Sequence, residues 1–239
     1  MKLIADLHTH TIASTHAYAT VTEMAYEAAE LGLFALAITD HARTMPGAPG
    51  PFYFESLGIL PKYLQGVRLL RGIEANICDF DGNIDVEVSL QNHLDWIVAS
   101  MHTITLDGKA TVEKCTNAYL KLAENTNVNV IGHSGSDYFK YDYEKVIPVF
   151  AKNGKLVEIN DSAFRYGRNY VGNCVTIARL CKKYGARICV DTDAHFTNTL
   201  GRAYKTLEIL EDIDFPEKLI VNTSVENLKA YFDENNISY

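Results

Sequence analysis

Residues 3–41 read LIADLHTHTIASTHAYATVTEMAYEAAELGLFALAITDH and contain one complete unit of the fold. A short apolar run, "LIAD" from Leu3, leads into His8, His10 and His16. A helical segment follows. Thr20 and Glu23 form a capping box, Met24, Ala28 and Leu31 recur at helical spacing, and Gly32 stands where helices commonly stop. A second apolar run, "LFALAI" from Leu33, then reaches Asp40 and His41. Strand, helix and strand in that order imply parallel strands joined by a right-handed crossover. Alternate side chains of an extended chain share a side, so His8 and His10 face one way if the strand continues through them. Two neutral imidazoles on one side make half of a metal site.

The unit repeats along the chain. Further strand-like runs are "RLLRGI" from Arg68, "WIVAS" from Trp96, "VNVIG" from Val128, "KLVEI" from Lys155 and "RICV" from Arg187, with "LIVN" from Leu219 as a last candidate. Asn173 to Gly185 repeats the helical grammar, and Thr223 with Glu226 offers another capping box. About seven such units without a linker predict one α/β domain over residues 1–239, a closed barrel. An open doubly wound sheet is the rival, and the lack of a G-x-G-x-x-G or Walker loop after the first strand lowers its nucleotide-binding version. The Pro- and Gly-rich stretch "HARTMPGAPGPFYF", residues 41–54, reads as a loop over the site.

Bulk properties narrow the function classes. Five cysteines without a C-x-x-C pair indicate neither a disulfide framework nor a zinc ribbon, and they fit a reducing compartment. Cys115, Cys174 and Cys181 fall on predicted helices and read as core residues. A net charge of -8 argues against broad nucleic-acid binding. "MKLIAD" is too short an apolar segment for a signal peptide, and no run reaches membrane-spanning length, so the expected location is cytoplasmic. The oligomeric state stays open, a homo-oligomer included.

The timing of polar residues against strands carries the functional signal. His8 and His10 follow the first strand, Asp40 and His41 the second, Glu74 the third, His102 the fourth, His133 the fifth, and Asp193 with His195 the seventh. In βα barrels those C-terminal ends converge on the active site. His93, in "LQNHLDW", precedes its strand and reads as a surface or capping residue. Arg165 and Arg168 in "NDSAFRYGRNY" follow the sixth strand, where a planar cation would meet a phosphate. Asp40 could orient the neighbouring His41 through its second nitrogen, or face outward as a loop charge.

"LHTHTIASTHAY", "LAITDHA", "LLRGIEANI" with "DGNID", the isolated His102 and His133, and "DTDAH" together resemble the PHP (polymerase and histidinol phosphatase) family, and within it the stand-alone YcdX-type phosphatases. The likeness runs from about Leu3 to Thr223. It implies a distorted (β/α)7 barrel with a trinuclear metal site at the C-terminal strand ends. It also implies a division of ligands: His8, His10, Glu74 and Asp193 for one ion, Glu74 bridging to a second held by His102 and His133, and His16, His41 and His195 for the third. Arg168 matches an arginine of the related phosphatases. A nitrogen-rich set with two carboxylates and no thiolate suits zinc first, and also manganese or iron.

Clustered divalent ions point to phosphoester hydrolysis, with a metal-bound hydroxide attacking phosphorus in line with the departing alcohol and metals clamping the other oxygens. Glu74, Asp193 and Arg168 are the residues expected to serve the reaction, on a small phosphorylated substrate. The sequence departs from the family in "GHSGS" after His133, where a proline is absent, and in "SMHTITL" around His102. The weighed alternatives are a histidinol-phosphate phosphatase, an amidohydrolase-like hydrolase, a metal-stabilised binding module without catalysis, and a serine nucleophile at Ser134, which lacks a G-x-S-x-G elbow.

Overall fold

The apolar runs set the element order in the computed structural model, which describes residues 1–239. The elements are β1 (Ala5–Asp6), α1 (Val21–Glu30), β2 (Ala35–Ile38), α2 (Pro51–Glu55), β3 (Tyr63–Leu64), β4 (Val67–Asn76), α3 (Val88–Gln91), β5 (Trp96–Ser100) and α4 (Val112–Leu122). They continue with β6 (Val130–Ile131), α5 (Tyr143–Lys152), β7 (Leu156–Glu158), α6 (Asp161–Arg165), α7 (Val171–Tyr184), β8 (Ile188–Cys189), α8 (Tyr204–Asp212) and α9 (Val225–Glu234). Seven strands pair in parallel in the order β1-β2-β4-β5-β6-β7-β8, and β3 adds an antiparallel partner to β4. The result is a curled, TIM-like α/β barrel.

Alternation within the strands separates two apolar layers. Ala35 and Ala37 of β2 pack inside the barrel with Trp96 and Val98 of β5, whereas Leu36 and Ile38 point outward onto Met24, Ala25 and Ala28 of α1. The inner layer is stoppered at the N-terminal strand ends by Leu228, Tyr231 and Phe232 of α9, with Trp96 edge-on to both aromatic rings. The Trp96 indole N–H donates to the Leu7 carbonyl at 2.9 Å, so its one polar group is satisfied.

The barrel is not closed by a ladder. Between β8 and β1 there is one bridge, Thr9 to Ala194, and the gap is clasped by Asn222. Its amide donates to Ala5 O at 3.0 Å and Val190 O at 2.7 Å, while its side-chain oxygen accepts from Val190 N at 3.0 Å. This corrects the reading of "LIVN" as a strand: Ile220 makes a single bridge to Ile188, and Asn222 bonds across the seam through its side chain, which interrupts a backbone ladder.

The helix starts divide similarly. Thr20 and Glu23 form the expected capping box. At α9 the cap is Ser224, whose hydroxyl accepts from Asn227 N at 3.1 Å, because Thr223 is turned back to donate to Ile220 O. Helix α7 begins at Val171, ahead of Asn173, whose amide instead donates to Gly135 O and Asp137 Oδ1; it ends as expected at Gly185, in the left-handed region at φ 67°. The 41–54 stretch is not all loop, since Pro51 starts α2. It packs on the loop after β1 so closely that a Cβ on Gly47 would collide with Thr15.

Candidate metal centre

Beyond β1 the chain stays extended, and this places His8 and His10 on the inner side while Thr9 turns away, its hydroxyl donating to Ala37 O at 2.6 Å. Both rings are fully buried. Glu74 does not follow its strand but lies within β4, which runs to Asn76, and its carboxylate stands at the middle of the cluster. Its Oε1 lies 3.4 Å from His8 Nε2, 3.5 Å from His102 Nε2 and 3.0 Å from His133 Nε2. Its Oε2 lies 3.5 Å from His10 Nε2 and 2.6 Å from His41 Nδ1. Asp193 Oδ1 faces the same rings, 3.1 Å from His10 Nε2 and 3.7 Å from His8 Nε2.

His41 stands between two sets of groups. Its Nδ1 faces Glu74, while its Nε2 lies 3.2 Å from His16 Nε2. His16, exposed at the mouth, also has its ring 4.6 Å from that of His195. All nine residues singled out from the sequence thus converge. Three groups of ligand atoms are close enough to share an ion: His8, His10 and Asp193; His41, Glu74 and His102; and His10, His41 and His195.

The residues fit a cationic occupant. His8 Nε2 and His195 Nε2 are buried without a hydrogen-bond partner. His10 Nε2, His41 Nδ1 and Glu74 Oε2 are buried with only an opposing ligand atom of the cluster nearby, His41 Nδ1 2.6 Å from Glu74 Oε2 and His10 Nε2 3.1 Å from Asp193 Oδ1. A cation would complete this arrangement of inward-facing ligand atoms. Burial works to raise the Glu74 pKa, yet His8, His41 and His102 hold it well below the carboxylate range. Asp193 behaves likewise, burial opposing and His8 and His10 prevailing. Burial, with His41 beside it, pushes His10 down to about 3, and burial takes His102 to about 4, so both imidazoles are neutral and able to ligate.

An outer layer aims these ligands, and the sequence reading passed over most of it. Glu158, at the end of β7, is buried with Oε1 2.7 Å from His8 Nδ1, and Oε2 accepts from the backbone N–H of His133. Asn76 Oδ1 lies 2.8 Å from His102 Nδ1. The available signal was a glutamate inside the apolar run "KLVEI". Asp40 corrects both earlier readings. It is neither exposed nor bonded to the His41 ring, but accepts from Thr11 N, Thr11 Oγ1, Ser14 Oγ and Tyr53 Oη. It thereby fixes the turn that carries His16.

The remaining candidates separate clearly. Arg165 is committed to Asp161 at 2.6 Å. Arg168 is exposed, its guanidinium over the Tyr166 ring, and it lines a cleft of 440 Å³ together with His16, Asp193 and His195. Ser134 is buried with its hydroxyl on Tyr141 Oη at 3.1 Å, and the neighbouring His133 turns its Nε2 to Glu74 instead, which counts against the serine-nucleophile alternative. His93 is exposed, its Nδ1 on the Ser89 carbonyl at 2.6 Å where it caps α3, as the capping reading anticipated. The cysteines on α4 and α7 are buried in the core. No helix is long and apolar enough to cross a membrane.

A family model for the PHP domain matches residues 6–162. The chain is 42% identical over 231 residues to a probable phosphatase of Acetivibrio thermocellus, covering 97% of this chain and 95% of that protein. It is 40% identical over 237 residues to a probable phosphatase of Caldanaerobacter subterraneus subsp. tengcongensis, covering 98% and 92%. Among solved structures, the histidinol phosphate phosphatase of Lactococcus lactis subsp. lactis, complexed with zinc, L-histidinol and phosphate, shares the fold. That match has a TM-score of 0.62 at 18% identity and covers 89% of this chain and 94% of that one.

Proposed function

The chain belongs to the PHP domain family, and on that premise we propose that it is a metal-dependent phosphatase acting on a small phosphomonoester at a site for three divalent ions. The observation that carries the reading is the set of five buried ligand atoms, drawn from four histidines and Glu74, that face one space with no partner outside the cluster itself. His8, His10, Glu74 and Asp193 would hold one ion, Glu74 with His102 and His133 a second, and His16, His41 and His195 a third. His41, with a nitrogen toward each of two groups, sits at their junction. Zinc is the first choice, and manganese or iron also suit this donor set.

Ions bound there would supply a nucleophilic water near neutral pH and positive charge for the phosphate oxygens. The protein's own groups do the rest. Glu74 and Asp193, held ionised by the surrounding imidazoles, keep the site anionic enough to retain cations. Glu158 and Asn76 fix the rings of His8 and His102. Arg168, left to solvent and the Tyr166 ring, offers a planar guanidinium to the phosphate.

The test is hydrolysis of p-nitrophenyl phosphate by zinc- or manganese-loaded protein, alongside metal analysis, with Asp193→Asn as the control. We expect turnover by the native chain, a fall of at least about 100-fold in the variant, and fewer bound ions. Equal trace rates in both would remove the phosphatase reading and favour amide or lactone hydrolysis or a binding role.

A further inference from the structure

Asn160 lies just beyond β7, is 3% exposed, and has both ends of its amide committed. Its Oδ1 accepts from the backbone N–H of Ser162 at 2.9 Å and from the Ser162 hydroxyl, as the cap of α6. A backbone N–H can only donate, so the oxygen end of the amide is fixed and its NH2 end points the other way. There Nδ2 reaches Glu158 Oε2 at 3.2 Å and Asp193 Oδ2 at 3.4 Å. The backbone on either side is also held, the Ile159 N–H donating to the Cys189 carbonyl and the Asp161 N–H to the Asp191 carbonyl, both at 2.9 Å.

The amide acts where regular structure has stopped. Asp193 lies beyond β8 in the left-handed region, at φ 53°, so strand alternation does not set the direction of its side chain. Its Oδ1 faces His10 Nε2 at 3.1 Å and its carbonyl accepts from His195 Nδ1 at 2.9 Å, whereas the one hydrogen bond to its Oδ2 comes from Asn160. Glu158, the other acceptor of that NH2 group, already orients His8 and His133. Resting on the metal-dependent phosphatase reading above, we propose that Asn160 is a positioning residue of the metal centre, tying Asp193 Oδ2 to Glu158 so that Asp193 offers Oδ1 alone to an ion. A carboxylate held in this way leaves free the coordination position that its second oxygen would take, where a water or a phosphate oxygen can bind. The NH2 group also stands between two buried carboxylates, in place of a direct like-charge contact.

Asn160→Ser keeps a hydroxyl that can cap α6 but cannot span to Asp193, whereas Asn160→Ala loses cap and bridge together. Zinc affinity, by competition with a chromogenic chelator, should fall about 10-fold in both variants, and the visible absorption of the cobalt(II)-loaded protein should change in both. Only the alanine variant should melt lower, by about 3 °C. At saturating zinc, kcat for p-nitrophenyl phosphate should fall about 10-fold. In Asp193→Asn protein the serine substitution should cost less than about twofold in affinity for the ions that remain, because the group it positions is already gone. A serine variant with native zinc affinity and a native cobalt spectrum, or an equal loss in both backgrounds, overturns the proposal and leaves Asn160 as a helix cap. Slow turnover with unchanged affinity and spectrum also overturns it, while the phosphatase reading stands. Weakened zinc binding and an altered spectrum in a protein whose native form hydrolyses no phosphate ester would sink the phosphatase reading and support the positioning role.

Discussion

His8 presents Nε2 to the centre because its other nitrogen is committed to Glu158, and the same carboxylate accepts the N–H of His133, a residue held at the unusual φ of 23°. One side chain on β7 therefore sets a ring that follows β1 and a backbone turn that follows β6. Burial opposes a proton on His8, but Glu158, Glu74 and Asp193 together hold its pKa well above the usual value, a field that a bound cation would satisfy equally. Glu158→Gln keeps the shape but cannot accept both bonds with a full negative charge. Zinc affinity, measured by competition with a chromogenic chelator, should weaken by about 10–100-fold while the circular dichroism spectrum is retained. Unchanged affinity would show that Glu158 is ordinary packing. His8 and His10 were legible because strand alternation is a local rule; Glu158 was not, because its partner is far away in the chain and only the barrel brings them together.

At the scale of elements, legibility follows how local the determining contacts are. The α1 cap involves residues three apart and reads directly from the sequence. The α9 cap slips by one position because the Thr223 hydroxyl turns back to the Ile220 carbonyl, a second local bond that competes with the cap. The joint between β6 and β7 depends on Lys155, buried in the structure with its ammonium donating to the carbonyls of Asn125 and Val128. Burial pushes its pKa from the ordinary 10.5 down to about 8. Between those values the unfolded chain holds a proton that the folded chain has lost, so this group adds stability as pH rises from about 8 to 10.5 and the increment disappears as pH falls through 8. Urea unfolding across that window should show the native protein gaining on Lys155→Met. Parallel curves would mean that the ammonium stays solvated. Two carbonyls left unpaired lower the variant's baseline, but the comparison rests on slope.

The whole molecule is a barrel whose ladder stops between β8 and β1, and the candidate ligands straddle that gap. His8 and His10 stand on one side and Asp193 and His195 on the other, so an ion shared by His8, His10 and Asp193 would bind the two edges together. Metal removal should therefore reach beyond the site. A site with metal at about 1,000 times its dissociation constant stabilises the folded state by about 4 kcal/mol, or roughly 10 °C in Tm for a chain of this size. Calorimetry of chelated against zinc-loaded protein measures the shift, and coincident melting curves would count against any tight structural ion.

By itself the sequence determined the strand–helix alternation, the parallel barrel, the convergence of polar residues on one end, and the likeness to a family, because each rests on short-range periodicity or on motifs a few residues long. The tertiary structure alone decided the open seam and its Asn222 clasp, the placement of Glu74 among five histidines, and the support from Glu158, Asn76 and Asp40. Those features depend on side chains that lie far apart in the chain and meet only when the barrel curls. Periodicity says which way a residue faces on its own element, and it carries no information about what lies opposite.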